Sequence, residues 1–351
     1  MRKFSETSVR LQARSGRLCV INKGKVYDVT DFGNKHPGGR ELLQEHAGLD
    51  VTHVMTSHDY HKHSSAATDI LNQYCIGELE SESRNNNKIT SDGDLNGNAS
   101  SDRYDPSMTD LVDMNQPLVE QIPGLGDKYF EWVHKPTDKH IRLFKSDLAE
   151  FFTESYWWLV PVYWVPIMFI LLHWCVSNLQ NKPVVWMESI NGGITVTPSA
   201  LPMLFVMGIL LWTLAEYIIH RWIFHLHPPT GWPSLMKLHF MLHGQHHKAP
   251  MDKYRLVFPP VPASILAIMI YGSFAIFWPK AVCQGLFAGT IFGYMFYDLT
   301  HYYLHHGTPG FGYFKSLKKY HVKHHFHDQQ KGFGISSKLW DYPFRTLIPD
   351  D

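Results

Sequence analysis

Fourteen of the chain's twenty-three histidines lie between His220 and His327, in four clumps reading IIHRWIFHLH, LHFMLHGQHHKAP, DLTHYYLHH and KYHVKHHFHD. Neutral imidazole is the commonest protein ligand for a transition metal, so the spacing inside each clump decides what it can do. His243, His246 and His247 fall at i, i+3, i+4, which places three imidazoles on one helix face. His321, His324 and His325 repeat that spacing, and His301 with His305 forms an i, i+4 pair. His220 and His225 are five residues apart, about 140° around an ideal helix. They converge only if the helix bulges, kinks or ends between them. A surface or hydrogen-bonded core histidine is the ordinary explanation for any one of these residues. It accounts poorly for two HxxHH triplets and two further pairs, so the expected chemistry is that of a metal centre. His239 lies i, i+4 from His243, and spacing does not exclude it. His227, His306 and His327 sit beside these residues as supporting or surface groups. Asp298 and Tyr302, one turn around the His301 pair, are candidates to orient imidazoles, with a plain interface role the more ordinary reading.

The elements that carry these histidines are apolar. Four segments, roughly 156–176, 200–219, 260–278 and 281–303, are long enough to cross a bilayer. Their borders hold Trp and Tyr, in keeping with an aromatic content of 14% and eleven tryptophans. One buried core helix would explain any single segment, but four in succession with almost no charge point to a membrane. The loop between the second and third segments carries Arg221, Lys237, Lys248, Lys253 and Arg255. The other two connections carry only Lys182 and Lys280. By the bias of positive charge toward the cytosol, that loop is cytosolic. An even number of spans then puts both chain ends there too. All four histidine clumps reach one level on one membrane face. The expectation is an all-α integral membrane domain with about four transmembrane helices and a cytosolic histidine-rich helical cap.

Residues 8–82 read as a separate α+β module. LCVINKGKVYDVTDF has strand character with a Lys-Gly turn, and NKHPGGRELLQEHAGLD turns into a short helix. His36-Pro37-Gly38-Gly39, together with VYDVTDF and the closing YCIGEL, resembles the cytochrome b5 family. The resemblance implies a haem-binding domain holding haem b, with His36 as one ligand. Glycines after the histidine allow a sharp turn and close approach to a flat macrocycle. A second imidazole is available from His53, His58, His61 or His63, and the family's position fits His63, which Ser64 follows. Residues 83–127 read as a flexible tether and membrane-proximal segment, rich in Asn, Ser, Asp and Gly at first and amphipathic later. An Asn98-Ala99-Ser100 glycosylation triplet there would face the cytosol and stay unused. The remaining domain spans 128–351.

Lys+Arg and Asp+Glu are both 32, so no charge excess suggests nucleic acid as a partner. Cys19, Cys75, Cys175 and Cys283 form no CxxC and read as free thiols. The opening MRKFSETSVRLQARSG has no apolar stretch, so no secretory signal peptide is expected.

Ten histidines are more than one ion coordinates, and two ions fit. Zinc would polarise a substrate without redox change, whereas iron would activate dioxygen. A fused one-electron carrier has no obvious use beside a zinc hydrolase. Cleaving dioxygen with insertion of one atom requires two external electrons. The residues therefore indicate a membrane di-metal oxygenase supplied by its own haem domain.

The segment 128–351, with HGQHHKAPMDKYRLVFPP and YHVKHHF, resembles the fatty acid hydroxylase superfamily. The resemblance implies an enzyme of the endoplasmic reticulum that inserts oxygen at the carbon next to an acyl carbonyl, giving 2-hydroxylated chains for sphingolipids. It implies two metal ions, iron for activity with zinc able to bind. The implied ligands are His220, His225, His243, His246, His247, His301, His305, His321, His324 and His325. The partners it implies are a long-chain fatty acyl substrate (free, on coenzyme A or in ceramide), dioxygen, a flavoprotein reductase and the lipid bilayer. A sterol-modifying oxygenase or desaturase of the same superfamily would share the histidines and spans. The haem domain and the VFPP stretch favour the acyl enzyme. A membrane-anchored haem electron carrier is the non-enzymatic alternative, for which one span would suffice.

Overall fold

The computed structural model describes residues 2–56, 63, 65–80, 111–186, 194–310 and 312–349. His58, His61 and the Asn98 triplet lie outside the described residues. The chain divides into two units, Met1–Asp113 and Met114–Asp351.

The first unit is built on a four-stranded sheet, in the order Lys3–Phe4 (β1), Cys75–Leu79 (β4), Lys25–Asp28 (β3), Cys19–Asn22 (β2). Strand β1 (Lys3–Phe4) leads into helix α1 (Glu6–Arg14), whose first turn is capped by the Ser5 hydroxyl accepting from the Ser8 amide at 3.2 Å. Strands β2 (Cys19–Asn22) and β3 (Lys25–Asp28) pair antiparallel around Lys23 and Gly24. Both turn residues have positive φ, 49° and 73°, the twist a two-residue hairpin requires. Helices α2 (Arg40–Glu45), α3 (Thr52–Thr56) and α4 (Ser65–Asn72) follow, and β4 (Cys75–Leu79) closes the unit. Phe4, Val9, Cys19, Ile21 and Val26 form its core. The unit thus begins before residue 8. A two-residue strand has no alternation to read, yet β1 is packed so closely on β4 that a Cβ on Gly77 would lie 2.2 Å from the Arg2 carbonyl oxygen.

The second unit begins inside the stretch read as tether. Leu118, Val119, Ile122 and Leu125 are buried ahead of α5 (Tyr129–Val133), because residues 114–128 fold against the helical domain. Helix α6 (Asp147–Phe151) is capped by Ser146 and leaves Leu148 and Phe151 exposed. Helix α7 (Leu159–Asn181) runs to a small hairpin of β5 (Val184–Trp186) and β6 (Ile194–Val196). Helix α8 (Leu201–Ile218) continues into a π-helical turn, Ile219–Phe224. Helix α9 (Pro233–His239) also runs into a π turn, Phe240–Gly244, and then α10 (Gln245–Lys248). Helices α11 (Pro260–Phe277), α12 (Lys280–His306) and α13 (Gly312–Phe326) complete the unit.

Among the described residues, three helical stretches are long and apolar enough to cross a membrane: Leu159–Asn181, Pro198–Phe224 and Pro260–Phe277. The fourth expected span folds as α12, whose 27 residues give it the length but not the apolarity. The reason is its place in the bundle. Most of α12 is buried against its neighbours, and it holds glycines where flatness matters more than apolarity. A Cβ on Gly289 would lie 2.0 Å from the Phe205 carbonyl oxygen, and one on Gly208 would lie 1.9 Å from that of Leu286. The backbones of α8 and α12 therefore touch. All four cysteines are free thiols.

Candidate metal centre

The π turn after α8 settles the awkward pair. His225 donates its amide N–H to the His220 carbonyl at 3.1 Å, a bond spanning five residues. The widened turn brings the two rings to a centroid distance of 4.9 Å. The second π turn holds His243, and α10 carries His246 and His247 straight after it. His301 and His305 close α12, and His321, His324 and His325 lie on α13. All ten are buried.

They gather into two groups. His246, His301, His305, His321 and His325 bring ligand nitrogens within 4.8 Å of one another, as do His220, His225, His243 and His324. His247 lies between the groups, its ring 4.4 Å from that of His325 and 4.9 Å from that of His225. Its Nε2 is 3.1 Å from Nε2 of His243.

The nitrogens themselves test whether a cation fits. His220 donates Nδ1–H to the Phe333 carbonyl and His324 donates to that of Lys331, both at 2.6 Å. A neutral imidazole has one N–H, so each Nε2 is left with a lone pair directed inward. Among the described residues, the Nε2 atoms of His225, His301 and His324 are buried without a hydrogen-bond partner. Other Nε2 atoms crowd together: His305 and His321 at 2.9 Å, His246 and His325 at 3.0 Å, His220 and His243 at 3.2 Å. A hydrogen bond between neighbouring imidazoles satisfies such a pair, but the unpartnered Nε2 atoms of His225, His301 and His324 are costly to bury unless a cation lies among them. The groups fit two metal ions.

Electrostatics keep these histidines in the form that could bind a metal. Burial first, and neighbouring imidazoles second, hold His225, His243, His246, His247, His321 and His325 well below the ordinary imidazole range. Burial and then His220 bring His324 down to about 3. Neutral imidazole is the form that ligates.

The structure also sorts the residues that spacing left open. His239 is buried and its Nδ1 meets the Tyr129 hydroxyl at 2.5 Å, and it belongs to neither histidine group. His227 stacks on Phe130 at 4.2 Å, His306 lies beside Tyr302, and His327 is exposed. Among the described residues, the Asp298 carboxylate bonds no imidazole. It accepts from the Phe258 amide and the Tyr294 hydroxyl, at 3.2 and 3.0 Å. The Phe333 and Lys331 carbonyls, which fix two imidazoles, carry no sequence signal because any residue supplies a carbonyl.

A cavity of about 390 Å³ reaches this centre. His243, His246, His301, Tyr297 and Glu216 are among its lining residues, together with apolar residues of α11 and α12.

In the first unit, His36 directs Nδ1 at the Gly39 carbonyl oxygen, 3.1 Å away. Gly39 sits at φ +91°, and a Cβ on Gly38 would lie 2.9 Å from the His36 ring. One glycine thus supplies a left-handed turn and the other makes room for the histidine itself. Of the other candidates, His53 is exposed on α3 and His63 is half-buried.

Residues 5–80 match the cytochrome b5-like heme/steroid binding domain, and 205–346 match the fatty acid hydroxylase family. With its haem-type module and its helical histidine centre, the chain belongs to the fatty acid hydroxylase family. It is 43% identical to the fatty acid 2-hydroxylase of Rattus norvegicus, over 99% of this chain and 96% of that protein. It is 32% identical to the ceramide very long chain fatty acid hydroxylase of Saccharomyces cerevisiae, over 93% of this chain and 89% of the other. The solved hydroxylase domain of full-length Scs7p superposes with a TM-score of 0.59 at 34% identity. That match covers 68% of this chain and 86% of the solved one.

Proposed function

We propose that this protein is a fatty acid 2-hydroxylase, converting a long acyl chain to its 2-hydroxy form for sphingolipids. One atom of dioxygen enters the C–H bond next to the carbonyl. The other leaves as water, with two electrons and two protons supplied. The supporting observation is the pair of buried histidine groups, members of which, His243, His246 and His301, line a largely apolar cavity. The naming of full-length relatives as fatty acid 2-hydroxylases favours this reaction over sterol oxidation or desaturation. A membrane-anchored haem carrier would have no need of two such groups.

The ten histidines hold two ions, with His247 joining the four-histidine group from the side of His243. Iron held there would supply the oxidant for an unactivated C–H bond, which redox-inert zinc does not. The chain's own residues do the rest. Apolar side chains of α11 and α12 take the acyl chain out of water. Burial of the ligands excludes solvent from the reacting end. Haem b held by His36 and His63 would supply single electrons, received from a flavoprotein reductase. The enzyme is placed in the endoplasmic reticulum membrane with four spans, counting α12. Both termini and the histidines face the cytosol, as the Lys and Arg distribution indicates.

Lipid analysis of cells expressing the chain tests the reaction. The expected result is accumulation of 2-hydroxylated long-chain acyl groups in sphingolipids, dependent on oxygen. Absence of that product from cells that make the intact, haem-loaded protein would refute the assignment.

A further inference from the structure

The two backbone carbonyls that fix imidazoles of the four-histidine group come from one short stretch. Lys331 accepts from Nδ1 of His324 and Phe333 from Nδ1 of His220. Gly332 between them sits at φ +73°, a conformation that glycine adopts without steric cost. A carbonyl orients an imidazole only as well as its own backbone is held.

Two buried carboxylates hold this one. Glu216 accepts from the amides of Ile335 and Ser336 on Oε1, at 2.9 and 2.8 Å, and from the Ser336 hydroxyl on Oε2, at 2.5 Å. Asp341 accepts from the amides of Phe333 and Gly334, at 3.0 and 2.9 Å, and from the Thr346 hydroxyl at 2.7 Å. Glu216 lies on α8 four residues before His220, so the helix that delivers this histidine also grips the segment that orients it. The five-histidine group is supported differently. Among the described residues, the Nδ1 atoms of His246, His321 and His325 have no hydrogen-bond partner.

We propose that Glu216 and Asp341 are positioning residues for the four-histidine group, acting through the backbone of residues 331–336 to fix the tautomer and direction of His220 and His324. This rests on the reading that the histidines hold metal. Outer partners of ligating imidazoles typically account for roughly 10–100-fold in metal affinity. The dependence is one-sided: loss of either carboxylate loosens one ion and leaves the other.

The test uses the full-length, haem-loaded protein in detergent, charged with Zn²⁺, with release of zinc to a chelator followed over time. The wild type is expected to hold two zinc ions. Glu216→Leu and Asp341→Leu should release one of them about 10–100-fold faster, with the second ion and the haem spectrum unchanged. Glu216→Gln and Asp341→Asn keep an acceptor oxygen for the amides and should recover most of the retention. Ser336→Ala removes one bond to Glu216 without a large change in the core, and should speed release of the same ion by a smaller factor. It carries the test if the leucine variants do not fold. Wild-type release of both ions from every folded variant would overturn the inference. So would equal loosening of both ions with a lowered melting temperature, the mark of a merely structural role. A wild type that takes up no zinc and no iron fails the metal reading itself, and the inference with it.

Discussion

The amide of His225 donates to the carbonyl of His220 across five residues, so the two imidazoles share one face of a π turn. An α-helical turn would have parted them. The four-histidine group exists because the end of α8 is wound more loosely than the rest, a feature that clusters at functional sites.

Each group should fail independently. His246→Ala removes a member of the five-histidine group and His324→Ala a member of the other. Either change is expected to lower 2-hydroxylation by more than about 100-fold, beyond the loss seen when only an outer partner is removed. Each should also cost about one metal ion per chain while the haem spectrum is retained. Full hydroxylase activity in both variants would rule out the two-ion centre.

The haem unit should be separable from the metal centre. His36→Ala is expected to lose the low-spin haem spectrum, keep both metal ions and lose activity for want of electrons. His63→Ala should do the same. If His61→Ala loses the spectrum and His63→Ala retains it, the second ligand is His61.

How much of this was legible in the chain follows from what each residue does. The two HxxHH triplets and the His301 pair announce themselves because α-helical spacing maps directly onto a face. The His220 pair announced only a problem, a required bulge, which the π turn solves. His239 lay on the right stripe, yet neither histidine group includes it, and its Nδ1 meets the Tyr129 hydroxyl, 110 residues away in sequence. The carbonyls of Lys331 and Phe333 could not be foreseen, since backbone atoms carry no residue identity. In the helical domain, the fourth expected segment, α12, is less apolar than the other three, in keeping with its burial against protein.

The His239 assignment carries a pH dependence. Burial brings this imidazole down to about 4 from an ordinary value near 6.5, so the folded chain keeps it neutral. Below pH 6.5 the unfolded chain takes up a proton that the folded chain does not. Its contribution is therefore fully present above pH 6.5 and lost as pH falls toward 4, amounting to roughly 2 kcal/mol at pH 5. His239→Gln should be less stable than wild type at pH 7.5, with the gap closing as the pH is lowered to 5, and should keep both metal ions. Thermal unfolding in detergent across that range, with metal analysis, checks both points. A metal ion lost from His239→Gln would make His239 a ligand.

Contact between α8 and α12 should be intolerant of side chains. Gly289→Ala and Gly208→Ala place a Cβ about 2 Å from a backbone oxygen that cannot swing away. Separating the helices should cost at least about 1–3 kcal/mol and lower the melting temperature in detergent. Gly272→Ala, with nothing within 4 Å of its Cβ, serves as the control and should melt like wild type.

The orientation follows from loop charge. An epitope inserted near residue 190 is expected to be lumenal, and epitopes at either terminus or near residue 250 cytosolic. Protease protection in sealed microsomes reads this directly. A cytosolic epitope at 190 would undo the placement of the four clumps on one face.

Helix α11 walls the cavity with residues such as Val261, Ile265 and Ile270, yet only 6% of it is buried within the protein. Its 18 residues span about 27 Å at the rise of an α-helix, close to the hydrocarbon thickness of roughly 27 Å in the endoplasmic reticulum. The 23 residues of α7 reach about 34 Å and have length to spare. In a bilayer, lipid would then be a structural neighbour of the cavity, on the side where little of α11 is buried among the described residues. In a thicker bilayer the mismatch falls first on this shortest, least supported wall, so that membrane thickness becomes a determinant of the chamber's shape.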